Sequence, residues 1–353
     1  MKLSGRAFNH LEDLVFFYGY DGVLEAIQHI KEMSNNSAAI RMKWDGGLQI
    51  YWGREYVNGP LIMTGHNGWA RGYKCTTTDE LYHFIVNQSG KNRENVSNER
   101  KEFALQFGKL FPLLDAATPR DFTGFVYADA LFLTRPVLFN NVYSFCPNHT
   151  GYYVDKDTTI GTRIGKSEIL LVGHAYFNAF GMRDEQQTPL DTFDIFNITD
   201  EAIILNPYYS KTIIHYDLDE KTEHKLHSLA AHIDDFLAPI TGVSSFRDYI
   251  YKYINYKMKN ASDDSFFQWM VNKSSISQPQ QTKIKARFEW YNSGNSLFTL
   301  VNEIMAIKNK IITELAPHDH DIKAYNPEGW VIYANNTKQL GNIKLVPRHQ
   351  WTP

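Results

Sequence analysis

A lysine two residues ahead of an aspartate and a glycine is a place where covalent chemistry can start. Lys43, Asp45 and Gly46 form that pattern inside IRMKWDGGLQIYWGRE, residues 40–55. Apolar residues on both sides predict two strands, so the lysine stands at the end of a rigid element and faces a cleft. A buried lysine near other cations loses its proton more easily and becomes a nucleophile. The glycine lets a phosphate approach the backbone closely. The same letters also spell a tight Asp-Gly turn with an exposed lysine.

A second set lies in NPEGWVIYANN, residues 326–336, where Glu328, Gly329 and Val331 open a strand. Further on, Lys344 sits between Ile343 and Leu345 in an apolar run. A lysine there is either a guard on an edge strand or a functional cation.

The elements that must carry these residues follow from periodicity and punctuation. Residues 9–33 have Val23, Ala26, Ile27 and Ile30 at helical spacing, and Gly19 and Gly22 split the segment into two helices. Short strands are predicted at Ala38–Met42, Leu48–Trp52 and Pro60–Thr64. Residues 76–118 read as helical around a polar surface loop at 88–100. Strands resume at Phe125–Thr134, Gly151–Val154 and Glu168–Phe177. From 217 to 315 the apolar spacing is helical throughout, with no strand signal. Strands return at 329–336 and 341–349. The expected architecture is α+β: a core formed by residues 1–215 and closed by 317–353, with a helical insertion at 216–316.

Composition narrows the function classes. The chain has 353 residues, 43% hydrophobic and 21% charged, which supports a packed core and excludes wholesale disorder. A net charge of -3 excludes a bulk polycation, so nucleic-acid binding would need a local basic surface. Two cysteines, Cys75 and Cys146, exclude a disulfide framework and a four-cysteine zinc site. Met1–Asp13 lacks an apolar signal region, and no run reaches the ~18 apolar residues of a membrane span. These features predict a soluble, cytoplasmic protein.

Three further segments carry residue types that could serve other chemistry. GTRIGKS at 161–167 has one residue too few between its glycines for a phosphate-binding loop, and it precedes a strand, not a helix. The histidines at 318–321 and His224 with His227 lack a recognisable zinc spacing. YIYKYINYKMK at 249–259 interleaves tyrosines with Lys252, Lys257 and Lys259, and Lys283, Lys285 and Arg287 follow. Rings beside cations suit single-stranded nucleic acid, or the tyrosines pack and the lysines snorkel.

Taken together, the motifs resemble the covalent nucleotidyltransferase superfamily of ATP-dependent DNA ligases, RNA ligases and mRNA-capping guanylyltransferases. Lys43, Asp45 and Gly46 match its motif I. GFVYADALF at 124–132 looks like motif III, with Asp129 where a glutamate is usual. EILLVGHAYF at 168–177 sits where motif IIIa belongs, with Tyr176 or Phe177 as the ring that stacks on the purine. Glu328 matches motif IV, and Lys344 in IKLV looks like motif V. The opening HLEDLVFFYGYDGVLEAIQHI, the K-W-D-G and FCPNHTGYYV at 145–154 also resemble tailed-phage proteins with a ligase-like core, over most of the first 180 residues.

The resemblance implies a nucleotidyltransferase (ATP-grasp-like ligase adenylation) domain with antiparallel sheets, ATP and Mg2+. Lys43 would take AMP from ATP and pass it to a nucleic-acid 5′-phosphate, which a 3′-OH then attacks. It also implies that Glu328 and Asp129 lie near metal or ribose and that Lys344 touches the α-phosphate. Trp44, Asp45, Gly46, Arg54, Arg71 and Tyr176 would line the nucleotide, and Lys252, Lys257 and Lys259 would hold nucleic acid. Arg54 or Arg71 would stand in for an arginine that DNA ligases carry where this chain has Leu48. Motif V has Val346 where a second lysine is common. No OB-fold follows motif V, which favours an RNA-ligase-like enzyme. The alternatives are a DNA ligase, a capping-type transferase, or a non-catalytic nucleotide-binding or structural phage protein.

Overall fold

The computed structural model describes residues 8–34, 38–87, 96–183, 188–189, 196–206, 216–260, 264–272, 275–291, 294–315, 321–325, 327–334 and 342–348. In chain order its strands are β1 Phe8–His10, β2 Ala38–Met42, β3 Leu48–Arg54, β4 Ile62–Gly65, β5 Gly124–Phe132, β6 Leu138–Phe139 and β7 Val142–Phe145. They continue with β8 Gly151–Asp155, β9 Ile169–Phe177, β10 Thr188–Pro189, β11 Ala202–Leu205, β12 Ile322–Tyr325, β13 Trp330–Ala334 and β14 Asn342–Leu345. Helices and strands are mixed, and the sheets are antiparallel or mixed.

The chain divides into two compact units. The first comprises Met1–Arg41, Lys211–His318 and Gly329–Pro353. Its sheet runs β1-β14-β13-β2, with β1 parallel to β14 and β13 antiparallel to it. Helix Leu14–Tyr18 stops at Gly19, whose φ of +63° lies in the region that favours glycine. Helix Tyr20–Ser34 follows at once. A Cβ on Gly22 would stand 2.0 Å from the Leu14 carbonyl, so the two glycines make the turn and the close approach.

Among the described residues six helices lie between Glu220 and Leu315, in the block whose apolar spacing predicts helix. Two of them start on capping side chains: Asp219 accepts from the Thr222 amide at 2.8 Å, and Ser265 with Gln268 forms a capping box. Leu226, Phe236, Ile250, Val301, Ile304 and Ile311 from these helices share one core with Val23 and Ile30. Charges are also buried here. Lys308 donates to Glu12 at 2.6 Å and Arg348 donates to Asp13. Burial alone would push the Glu12 carboxyl up, but Lys308 and Arg348 hold it down at about 2.

The second unit comprises Met42–Ser210 and Asp319–Glu328. Its large sheet runs β10-β9-β5-β3-β4, with β11 parallel to β9. A smaller sheet runs β12-β8-β7-β6. One face of the large sheet, with Ile50, Trp52, Val126 and Leu171, packs on Leu81, Phe107, Leu110 and Leu114. Those residues belong to helices Thr78–Asn87, Asn98–Gly108 and Leu110–Ala117. On the other face, Leu131, Leu170 and Val172 meet Tyr152, Val154 and Ile322 of the small sheet. Further along that face, Tyr51, Phe125 and Phe177 cluster with Trp69.

The grouping of segments differs from the expected core and insertion. The first 41 residues and the closing strands go with the helical block, because β13 and β14 pair with β1 and β2. Strand β12 goes instead with β8, a long-range pairing that no local pattern announces. GTRIGKS is not a phosphate loop: Gly161 lies in the short helix Thr159–Ile164, capped by Thr158, ahead of β9. Residues 35–37, 88–95 and 318–320, expected as breaks and connectors, lie outside the described residues.

Candidate active site

The polar strip on the large sheet begins with strand register. Gln49 of β3 stands opposite Asp129 of β5, and Tyr51 stands opposite Tyr127. Side chains two apart share a face, so all four project to the same side. Gln49 donates to the Tyr127 hydroxyl at 2.9 Å, and that hydroxyl donates to Asp129 at 3.1 Å. A register shift between β5 and β9 leaves His174 as the extra residue. Bulges re-aim side chains, and here Nε2 of His174 comes 3.1 Å from Oδ2 of Asp129. Tyr51 stacks on Tyr127 at 5.0 Å and on Trp69 at 4.6 Å. Burial, and next the Asp129 charge, pushes the Tyr127 phenol well up, so it stays a donor.

The K-W-D-G segment runs over this strip. A Cβ on Gly46 would stand 2.3 Å from the Asp129 Cβ, so only glycine lets the loop lie this close. The Gly47 amide donates to the Ala130 carbonyl at 3.1 Å. Asp45 is 6% exposed and is held by FCPNHTGYYV. Asn148 donates its side-chain amide to Oδ1, and the His149 and Thr150 backbone amides donate to Oδ2, each at 2.8 Å. The Asp45 amide donates to the Tyr152 hydroxyl, also at 2.8 Å. Burial alone would push the Asp45 carboxyl up, but these bonds together outweigh it and hold it below the usual carboxylate range.

Lys43 precedes this clamp, and its ammonium is ion-paired with the Glu328 carboxylate. The lysine side chain is 22% exposed and the glutamate 10%. The phenol of Tyr152 is pushed up first by burial and then by the charges of Asp45, Glu328 and Asp129, which opposes the bond from the Asp45 amide. Three carboxylates, one lysine and one phenol thus converge in the second unit.

Other expected site residues are placed elsewhere. Arg54 is fully buried, bonded to Asp115 at 2.7 Å and to the carbonyls of Gly59, Thr118 and Pro119, so it is a structural hub and not a nucleotide contact. Trp44 points into the core against Tyr152, at 5.6 Å between rings. Tyr176 stands opposite Val126, on the other face from Asp129, and its hydroxyl donates to the Thr123 carbonyl. Alternation along β9 puts it there, and Phe177 is buried. Arg71 is exposed at the end of helix His66–Arg71, whose Trp69 stacks on Tyr51. Lys344 belongs to the first unit, on β14 between Val331 and His10.

Lys252 and Lys257 are exposed on helix Phe246–Asn260, and the Lys259 side chain lies outside the described residues. The tyrosines between them are core: Tyr253 is buried, and Tyr249, Tyr251 and Tyr256 pack against the helical core. Lys283 donates to the Thr241 carbonyl, and Arg287 donates to those of Asp235, Phe236 and Ala238. The expected stacking surface is therefore not formed by these rings. His227 meets the Tyr20 hydroxyl at 3.1 Å, and among the described residues no group of three or more His, Cys, Asp or Glu could hold a metal ion.

Gln49, Tyr51, Tyr127, His174 and the Asn148–Thr150 clamp were not singled out from the sequence. Alternation along β3 and β5 was the available signal for the first three; the bulge that turns His174 has none.

The chain belongs to a family of unknown function, DUF6267, whose model matches residues 114–352. That match takes in Asp129, the 148–150 clamp, His174, Glu328 and Lys344, and it begins after Lys43. No curated protein and no solved structure matches the chain. Among the described residues no helix is long and apolar enough to cross a membrane.

Proposed function

We infer that the chain is an ATP-dependent polynucleotide ligase, RNA-ligase-like, that works through a lysyl-AMP intermediate. The observation that carries this reading is the ion pair of Lys43 with Glu328, residues from opposite ends of the sequence, beside Asp129 under Gly46. In the reading, Lys43 Nζ attacks the α-phosphorus of ATP. The Lys43 ammonium first gives one proton to the carboxylate in contact with it, Glu328; the neutral amine then forms the N–P bond, the P–O bond to the leaving pyrophosphate breaks, and the second nitrogen proton leaves with the released pyrophosphate. A nucleic-acid 5′-phosphate oxygen then displaces the lysine, and a 3′-OH finally displaces AMP to join the strands.

The donor set fits magnesium, which is held by one or two carboxylates plus phosphate oxygens and water. Glu328 and Asp129 are the carboxylates that would hold it, and bound magnesium would offset phosphate charge. Asp45 keeps the Lys43 backbone in place through its clamp, and Tyr127 and His174 orient Asp129.

A second reading, nucleotide binding without transfer, is favoured by Asp129 standing where a glutamate is usual and Val346 where a second lysine is common. One experiment separates the two. The purified protein is incubated with magnesium and α-labelled ATP, or separately GTP, and followed by intact mass and a denaturing gel. An AMP-sized mass gain that Lys43→Ala abolishes supports the transferase. No adduct with either nucleotide, from protein that carries no bound nucleotide or pre-formed adduct, leaves the binding reading.

A further inference from the structure

The small sheet of the second unit carries aromatic rings on its outer face, next in the chain to the candidate site. Thr150 holds Asp45 and is followed by Gly151, the first residue of β8. Tyr325 ends β12, and Glu328 follows shortly after. Gly151 and Tyr325 are register partners. Tyr152, Val154, Ile322 and Ala324 fill the inner face. The outer face carries Ser144, Tyr153 and Lys323 in one cross-strand row, and Tyr325 beside Gly151 in the next.

Tyr325 is 71% exposed and Tyr153 is 41% exposed. Their neighbours across the strands leave room for flat groups. Gly151 carries no side chain beside Tyr325; a Cβ there would lie 3.8 Å from the Tyr325 Cβ. Ser144 keeps the side next to Tyr153 low. The two tyrosines are diagonal neighbours, about 7–8 Å apart along the sheet, roughly one nucleotide of an extended strand. Lys323 is exposed opposite Tyr153. The carboxylate of Asp155 is folded back, accepting from the Asp157 amide at 2.9 Å.

We propose that this face binds single-stranded nucleic acid, with successive bases stacked on Tyr325 and Tyr153 and a backbone phosphate on Lys323, and that it leads a strand end toward Lys43. The chemistry selects the occupant. Every base offers a π-face to a tyrosine ring, and a phosphate complements the lysine. Paired bases in a duplex are not available to stack on a sheet face. The direction toward Lys43 rests on the ligase reading; the stacking surface does not.

The test is a fluorescence anisotropy titration of the full chain with a labelled single-stranded oligonucleotide, as RNA and as DNA, with a duplex for comparison. Tyr325→Ala and Tyr153→Ala are each expected to weaken single-strand binding by about 5- to 100-fold. Tyr325→Phe keeps the ring and stays within about twofold of the parent, because stacking does not need the hydroxyl. Lys323→Gln lowers the magnitude of the salt slope by about 0.7. Lysyl-AMP formation is measured on the unmodified chain alongside. An adduct without tyrosine-dependent oligonucleotide binding overturns the surface and leaves the ligase reading. Tyrosine-dependent binding without an adduct does the reverse. Self-association seen by sedimentation and abolished by Tyr325→Ala also overturns the proposal, because the face then belongs to a second copy.

Discussion

Asn148 donates its side-chain amide to Asp45 at 2.8 Å across a separation of 103 residues. The next two amides, of His149 and Thr150, bind the other carboxylate oxygen. The residue types of FCPNHTGYYV have a local purpose: they hold the loop that presents Lys43. Asp45→Asn replaces a charged acceptor with a group that faces three donors, and it should cost about 2 kcal/mol in urea unfolding. Asn148→Ala removes one bond at an exposed position and should cost about 1 kcal/mol. The Asp45 carboxyl is held low in the fold, so its contribution is present above its unfolded value and disappears as pH falls through the folded one. The deficit of Asp45→Asn relative to the parent should therefore shrink in strong acid. A deficit independent of pH would contradict this clamp.

Gly46→Ala should separate folding from chemistry. The new methyl would collide with the Asp129 Cβ, so the loop must lift from β5 and carry Lys43 with it. The far-UV circular dichroism should stay close to that of the parent. The rate of adduct formation with ATP should fall about a hundredfold, as expected when a nucleophile is displaced by an ångström or so. An unchanged rate would mean that the loop position does not govern Lys43.

The two arginines on Asp115 should behave very differently. Arg54 is fully buried and also bonds four carbonyls, whereas the Arg120 side chain is 62% exposed and bonds the other carboxylate oxygen at 3.1 Å. Removing a buried charged partner leaves its neighbours unpaired and costs about 3–5 kcal/mol, so Arg54→Met should lower the thermal midpoint sharply. An exposed pair contributes about 0–1 kcal/mol, so Arg120→Ala should barely move it. Similar shifts for both would contradict the hub assignment.

Two histidines of the first unit predict acid sensitivity. Burial, and next Arg348, lowers His10 to about 3; burial lowers His29 to about 4. Both are neutral above the unfolded value of about 6.5, where their contribution is complete. Below it the unfolded chain binds protons that the fold refuses, so stability is lost as pH drops from about 6.5 toward 4. For two protons the slope approaches about 2.7 kcal/mol per pH unit. Glu25, 3.4 Å from His29, would offset part of it once that ring is charged. His29→Leu should stabilise the protein at pH 5 relative to the parent and flatten the urea midpoint between pH 7 and 5. A slope unchanged by that substitution would sink the assignment.

Much of the secondary structure was legible in the residues. Helical spacing marked the block between Glu220 and Leu315 as helical and pointed to helices around Leu226–Leu237, Phe246–Ile254 and Leu297–Leu315, because a helix must bury a stripe of apolar side chains in water. The break between Glu220–Ala230 and Ile233–Leu237 and the helices Phe266–Val271 and Gln278–Tyr291 were not separated by it. Strands β3, β5, β8 and β9 were legible from β-branched and aromatic runs bounded by turn residues. The glycines at 19 and 22 announced the break between the first two helices. Lys43, Asp45, Asp129 and Glu328 were recognisable as reactive types in a particular order. Which of them share a surface was not.

That last question depends on pairings that no local pattern encodes. Strand β12 is short and joins β8 across more than 160 residues of chain, and this pairing brings Glu328 to Lys43. The face of a strand on which a side chain stands depends on register, and a bulge changes it. Whether Tyr176 or Phe177 shares a face with Asp129, and that His174 turns toward Asp129, therefore cannot be read from local pattern. Arg54 and the tyrosines of helix Phe246–Asn260 have the composition of a binding surface, but burial makes them structural. The sequence by itself determined the elements and the inventory of reactive groups, because propensity, capping and periodicity act over a few residues. The tertiary structure decided which groups converge, because register, bulges and burial are set by contacts between distant segments.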